Sequence, residues 1–150
     1  MHATGRIRVL DAASASQLRS AQECTSVAHA LEELVVNALD AQATEVHCVL
    51  DVPGFSMTVR DNGCGMSADE LGLVGDRHAT SKLEAGADAF GFRGAALHAL
   101  AAASLLEIVS RRAGAPASAT HAPVLRLGQR LHIGPAPEVR APGTTVTARD

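Results

Sequence analysis

Glu33, Asn37 and Asp40 lie within Glu33-Leu-Val-Val-Asn37-Ala-Leu-Asp40-Ala41, at spacings of four and three residues. A helix turns once in ~3.6 residues, so the three share one side of it. A carboxylate one turn from a carboxamide is a useful pair: one polarises a water, the other offers oxygen to a hard cation. One strand-turn-strand further on comes Asp61-Asn62-Gly63-Cys64-Gly65-Met66. A carboxylate at a strand end can accept from an exocyclic amino group such as adenine's, and the glycines let a flat ligand approach the backbone. Arg77-His78-Ala79-Thr80-Ser81-Lys82 and Gly91-Phe92-Arg93-Gly94 follow. Their hydroxyls, lysine and helix-opening glycines suit polyphosphate, because free N–H groups at a helix N-terminus attract anions. Gly143-Thr144-Thr145, entering a strand, can hold a base from its other side through a hydroxyl or a water. Each segment is common by itself, and Glu33 with Asn37 alone would read as a solvated helix face. The order of the four segments carries the signal.

The elements that must position these residues form one α/β unit. Val27, Leu31, Leu34, Val35 and Ala38 make an apolar stripe opposite the polar trio, as expected of a helix packed on a sheet. Thr25 or Ser26 caps that helix, which runs through Ala41. Upstream, 7–10 reads as a short strand and 14–21 as a short helix. Glu45 to Asp51 and Phe55 to Asp61 alternate about a Pro53-Gly54 turn, which predicts a β-hairpin ending at the Asp-Asn-Gly loop. Ser67-Ala68-Asp69-Glu70 opens a short helix. Residues 86–94 read as loop, 95–103 as an alanine-rich helix and 106–110 as a strand. The Ala-, Pro- and Ser-rich stretch 113–123 is expected to be an exposed turn. A hairpin over 124–133 and a last strand over 144–148 complete the chain.

Composition narrows the function classes. At 150 residues and 47% hydrophobic, the chain suffices for one domain with a core of Leu, Val and Ala. Only 2% is aromatic, so there are no stacking platforms for single-stranded nucleic acid. A net charge of −3 argues against a self-sufficient DNA-binding module. Lys82 is the only lysine. Cys24, Cys48 and Cys64 form no C-x-x-C, which argues against a disulfide framework or a zinc site and fits a reducing compartment. No run approaches the ~18 apolar residues of a membrane span. The seven histidines show no ligand spacing. Cys64 is expected to fill a small packed position, and Arg111-Arg112 to be a solvated strand end.

The chain resembles the MutL family of DNA mismatch-repair ATPases, within the GHKL superfamily that includes gyrase, the Hsp90 chaperones and histidine kinases. The resemblance rests on Glu33 to Ala41, Asp61 to Gly65, Arg77 to Lys82, Gly91 to Gly94 and Gly143-Thr-Thr-Val146, and it spans nearly the whole chain. The Thr80-Ser-Lys82 and Gly91-Phe-Arg-Gly94 segments separate MutL proteins from their superfamily relatives. Leu18-Arg-Ser20, Glu32-Glu33, Val74-Gly-Asp-Arg77 and Ser104 to Ile108 look most like the eukaryotic third MutL homologue, the branch associated with meiotic crossing-over.

The resemblance implies a GHKL fold: a mixed, mostly antiparallel sheet with helices on one face, in an α/β two-layer sandwich. It implies ATP and Mg²⁺ as cofactors, a lid that closes on ATP and through which the protein dimerises, and slow ATP hydrolysis. Glu33 would be the general base and Asn37 the Mg²⁺ ligand, with Asp40 beside them. Asp61 would read the adenine amino group, with Gly63, Gly65 and Met66 around the base and Thr144 and Thr145 supporting it. Thr80, Ser81 and Lys82 would lie in the lid, and Gly91, Phe92, Arg93 and Gly94 would meet the phosphates. The implied partners are a second MutL-family subunit, a MutS-type mismatch-recognition complex and DNA. The implied location is the nucleus, without membrane. The sequence departs from the family pattern at Ala95, where a Glu is usual, at Gln42, where a Gly is usual, and in a short 83–90 stretch. The family continues past the equivalent of Asp150, so residues 1–150 are expected to be an N-terminal ATPase domain separated from a second domain and a C-terminal domain.

Overall fold

The computed structural model describes residues 27–75 and 95–149. The strand expected over 7–10, the helix over 14–21, the Thr25 or Ser26 cap and the segments 77–82 and 86–94 lie outside them. Helix α1 spans Val27–Asp40, the hairpin strands β1 and β2 span Val46–Asp51 and Ser56–Asp61, and a short helix α2 spans Ala68–Leu73. Helix α3 (Ala95–Ala103) leads into β3 (Leu105–Arg111), a 3₁₀ turn at Ala117–Ala119, β4 (Val124–Arg126), β5 (Gln129–His132) and β6 (Gly143–Arg149). The strands form one sheet in the order β1-β2-β6-β3-β4-β5, with every neighbouring pair antiparallel.

Strand periodicity decides which face the helices cover. Met57 and Val59 of β2, Leu106 and Ile108 of β3, and Val146 and Ala148 of β6 are buried on one face. Ala30 and Leu34 of α1, Leu71 of α2 and Leu100 and Ala101 of α3 pack against them in a single core. This is the two-layer arrangement expected, with helices on one face. The α1 stripe is narrower than expected. Ala30, Leu34 and Ala38 are buried and Leu31 packs beside them, whereas Val27 is 57% exposed. Ala30 and Ala38 have no bulk to hold the helix away from the sheet.

Local chemistry ends each element where it does. In the β1–β2 turn the Asp51 carboxylate accepts from the Gly54 N–H at 3.1 Å, and Phe55 sits at φ 49°. Ser67 and Glu70 form a reciprocal capping box on α2. Leu127 and Gly128, at φ 49° and 75°, join β4 to β5 in the two-residue loop that matches strand twist.

The stretch 113–123 departs from expectation. Thr120, Ala122 and Pro123 are buried, because the chain runs back along β3: Ser110 N donates to His121 O and Ile108 N to Pro123 O. Backbone pairing with a buried strand overrode the composition.

The end of α1 is a Schellman motif. Ala43 N donates to Ala38 O at 3.0 Å and Gln42 N to Leu39 O at 2.8 Å, with Gln42 in the left-handed region at φ 60°. That conformation costs a non-glycine residue on the order of 1 kcal/mol. Gln42→Gly is therefore expected to stabilise the fold by about 0.5–1 kcal/mol, read as a higher urea midpoint with an unchanged m-value.

Candidate functional site

The ends of β2, β3 and β6 meet at one edge of the sheet, and the C-terminal end of α1 joins them there. Asp61 closes β2 and is 9% exposed. Its Oδ1 accepts from Gly63 N at 2.8 Å and from Thr144 N at 3.3 Å. Both bonds fall on the same carboxylate oxygen. Burial pushes the Asp61 pKa above its ordinary value of 3.8, and the Gly63 and Thr144 N–H groups and the nearby Arg140 charge only partly offset that.

The loop after Asp61 is tied down on both sides. Asn62 Oδ1 accepts from Thr44 N and Glu45 N at 2.9 and 3.0 Å, and Cys64 N donates to Ala41 O at 2.9 Å. These bonds dock the loop on the end of the helix that carries Glu33, Asn37 and Asp40. On the other side Ala113 N donates to Cys64 O, and Met66 N to Ser110 Oγ at 2.8 Å. The glycines answer to the protein's own backbone rather than to an incoming base. A Cβ on Gly63 would stand 2.7 Å from Ala41 O, and one on Gly65, at φ 64°, would overlap the Arg111 carbonyl.

On α1 all three polar residues are half-buried beside the packed face. Among the described residues, Glu33 Oε2 is a buried oxygen with no hydrogen-bond partner. Such an atom loses its hydration without replacement. Asn37 and Asp40 already have partners within the protein. Met66 packs on the core through its side chain. Thr144 exchanges a 2.9 Å hydrogen bond with Ser110, and Thr145 Oγ1 accepts from Arg140 Nη1 at 2.8 Å. Thr80, Ser81, Lys82, Gly91, Phe92, Arg93 and Gly94 lie outside the described residues.

Sequence reasoning assigned no site role to four residues here: Asn62, Ser110, Arg111 and Arg140. Arg111 is no solvated strand end. Its guanidinium donates to Ala115 O and to Arg140 O. Arg112 pairs with Glu70 at 2.7 Å. Burial works against the Glu70 carboxylate, but the Ser67 N–H and Arg112 together hold its pKa below the ordinary value. Cys64 is exposed rather than packed. Asn62 was legible as the Asn of an Asp-Asn-Gly turn; the other three are recognisable only through contacts distant in sequence.

Residues 25–123 match the family model described as histidine kinase-, DNA gyrase B-, and HSP90-like ATPase. The chain belongs to this ATPase family. Within it, the relatives are mismatch-repair proteins of the MutL type. The chain is 40% identical over 139 residues to the DNA mismatch repair protein MLH3 of Arabidopsis thaliana, covering 89% of this chain and 12% of that one. It is 40% identical over 151 residues to the DNA mismatch repair protein MutL of Desulforudis audaxviator, covering 97% of this chain and 26% of that one. It therefore spans about a quarter or less of these relatives' length. A crystal structure of the N-terminal domain of a DNA repair protein superposes with a TM-score of 0.73 at 26% identity, covering 89% of this chain and 38% of that one. The Aquifex aeolicus MutL ATPase domain complexed with ADP gives 0.63 at 24% identity, covering 83% and 42%, and shares the fold.

The Asp61 shift has a definite sign in stability. Because its folded pKa is raised, the carboxyl's contribution is fully present below pH 3.8 and is lost as pH rises through the folded value. Asn at this position keeps an acceptor for Gly63 and Thr144 but cannot ionise. The unfolding free energy of Asp61→Asn relative to the parent should therefore shift in the variant's favour as pH climbs from about 3.5 towards 7. A difference that stays flat in urea titrations across that range would contradict the desolvation argument.

Proposed function

We propose that this chain is the ATP-binding, slowly ATP-hydrolysing switch domain of a MutL-type DNA mismatch-repair protein. The observation that carries the proposal is the divided Asp61 carboxylate. One oxygen is locked by two backbone N–H groups, and the other is held at a buried strand end where it can accept from the adenine amino group. Thr144 adds a hydroxyl on the face that carries Asp61, whereas Thr145 pairs with Arg60 and points to the other face of the sheet. Met66, Gly63 and Gly65 shape the loop beneath, and Asp40 closes the helix side.

The unpartnered Glu33 Oε2 fits a general base that orients the attacking water and takes its proton. The donor set also fits Mg²⁺. Asn37 offers a carboxamide oxygen, and among the described residues no group of three His, Cys, Asp or Glu forms a cage of its own. A hard cation held by few protein oxygens completes its shell with phosphate and water, as Mg²⁺ does. When bound, it neutralises charge on the phosphates. By the MutL likeness, Thr80, Ser81 and Lys82 would serve the triphosphate lid, and Gly91, Phe92, Arg93 and Gly94 the phosphate contacts. ATP would thereby bias the domain between open and closed states and so control dimerisation.

For the intact protein, the MLH3 and MutL likenesses support a heterodimer with another MutL-family subunit, action with a MutS-type mismatch-recognition complex on DNA, and a nuclear, repair or meiotic role. Among the described residues no helix is long and apolar enough to cross a membrane.

In the full-length protein, Glu33→Ala should still bind Mg-ATP in calorimetry yet lose roughly 10²-fold or more of its turnover. Asn37→Ala should weaken Mg-ATP binding itself by about tenfold. Unchanged turnover in Glu33→Ala would remove the general-base assignment, and absence of any ATP affinity in folded parent protein would remove the function.

A further inference from the structure

The two edges of the sheet differ in how they are guarded. β5 (Gln129–His132) carries Arg130 and follows a register shift between Val124 and Leu125. Both features discourage a further strand from pairing there. β1 has neither: its pairing with β2 runs without a shift from Val46 to Asp51, and it holds no lysine, arginine or proline. Five of its six residues are exposed. Val49 is 64% exposed and Leu50 46%, with Val52 at 65% and Phe55 at 71% just beyond the strand. Among the described residues, no strand pairs with the outer edge of β1. Asn62 N donates to Glu45 O at 3.3 Å, so the Glu45 carbonyl faces β2. Backbone groups alternate along an antiparallel strand, so those of Val46, Cys48 and Leu50 point outward.

This edge reads as its own complement. When β1 meets a second β1 antiparallel about a two-fold axis at Val49, Val46 stands opposite Val52 and His47 opposite Asp51. Cys48 then stands opposite Leu50, and Val49 opposite itself. The outward backbone groups of Cys48 and Leu50 can exchange hydrogen bonds across the axis. Every side chain keeps its face. Val49, beside Thr58, lies on the open face, and Cys48 and Leu50, beside Val59 and Met57, lie on the helix face. An imidazole meets a carboxylate on both sides of the axis, and apolar side chains meet apolar ones. Moving the axis to Cys48 sets Glu45 against Asp51, and moving it to Leu50 sets Asp51 against Val49. Of these registers, only the Val49 axis matches both charge and hydrophobicity.

We propose that β1 is a self-association edge that pairs with the β1 of a second copy of this chain, joining two sheets into one. The occupant is a second copy because charged and apolar positions complement each other about a single two-fold axis, as an isologous contact requires. The contact is short, so the association is weak, on the order of 10 µM. It does not depend on the nucleotide reading of Asp61.

Disulfide trapping in the full-length protein without nucleotide tests this, in a Cys48→Ser background whose own yield sets the baseline. Residues opposed at the axis stand about 4.5 Å apart at Cα, within disulfide reach. Val49→Cys is therefore expected to form a covalent homodimer under mild oxidation, at about fivefold or more above baseline. His47→Cys and Asp51→Cys should each stay near baseline alone and crosslink when mixed, because they oppose each other. Adding Leu50→Lys, at a half-exposed position that folding tolerates, should cut the Val49→Cys yield by about fivefold. A Val49→Cys yield at baseline would overturn the proposal, whether the edge is empty or taken by another segment or partner. Equal yields from Val49→Cys, His47→Cys and Asp51→Cys alone would also overturn it, because they report random collision rather than register. So would a Val49→Cys yield that Leu50→Lys leaves unchanged.

Discussion

Asp61 Oδ1 accepts from two backbone N–H groups that come from different parts of the chain, and the site is arranged around that one atom. A buried carboxylate costs several kcal/mol unless its lone pairs are satisfied, so the surrounding chain has little freedom. Gly63 N reaches it only if the loop turns tightly at the end of β2. Thr144 N reaches it only if β6 enters the sheet beside β2 in the observed register, with Arg60 opposite Thr145. A one-residue slip of β6 would remove the bond and turn Val146 and Ala148 out of the core at the same time. Burial of the apolar face and satisfaction of the carboxylate therefore select the same register.

Crowding at the strand ends explains the glycines. Gly65 lies against the Arg111 carbonyl, and a Cβ on Gly143, at φ 128°, would meet the Asp61 carbonyl and stand 2.9 Å from Asn62 Cα. These approaches let four backbone segments converge in a space that side chains would otherwise fill. Ser110 occupies the centre of the convergence. It is wholly buried, accepts from Met66 N and donates to Gly143 O or shares its proton with Thr144. A hydroxyl suits that place because it can accept and donate in one small volume. Alanine would fit the space but remove the acceptor for Met66 N and the bonds to Gly143 O and Thr144 Oγ1.

The packed layer and the site meet at α1. Its Ala30, Leu34 and Ala38 edge seats the helix on the sheet, while Glu33, Asn37 and Asp40 occupy a half-buried flank beside it. The Schellman end of the helix and the bond from Cys64 N to Ala41 O hold that flank to the loop. An acid oxygen left without a hydrogen-bond partner among the described residues, as at Glu33, is tolerable in so well-tethered a helix.

Much of this was legible in the sequence, for reasons that are local. The alternation of 55–61 identified its strand, 106–110 also read as a strand, Ser67 to Glu70 announced a helix start, and Gln42 stood where the family usually has a glycine. Asp61 was recognisable because it ends an alternating strand and begins an Asp-Asn-Gly turn. Arg140, Ser110 and Arg111 were not, because arginine and serine carry no periodicity that reveals a partner 79 or 44 residues away. The burial of 120–123 was hidden for the same reason: an Ala- and Pro-rich stretch reads as solvent-facing until a strand is seen to pair with it. The sequence by itself thus determined most of the elements, the buried faces of the main strands and the motif residues proposed for the chemistry. These follow from backbone propensity and from spacing along the chain. Only the tertiary structure decided how the Asp61 carboxylate is aimed and which of its oxygens takes the backbone bonds, because hydrogen-bond geometry depends on distances between segments that the linear order does not contain.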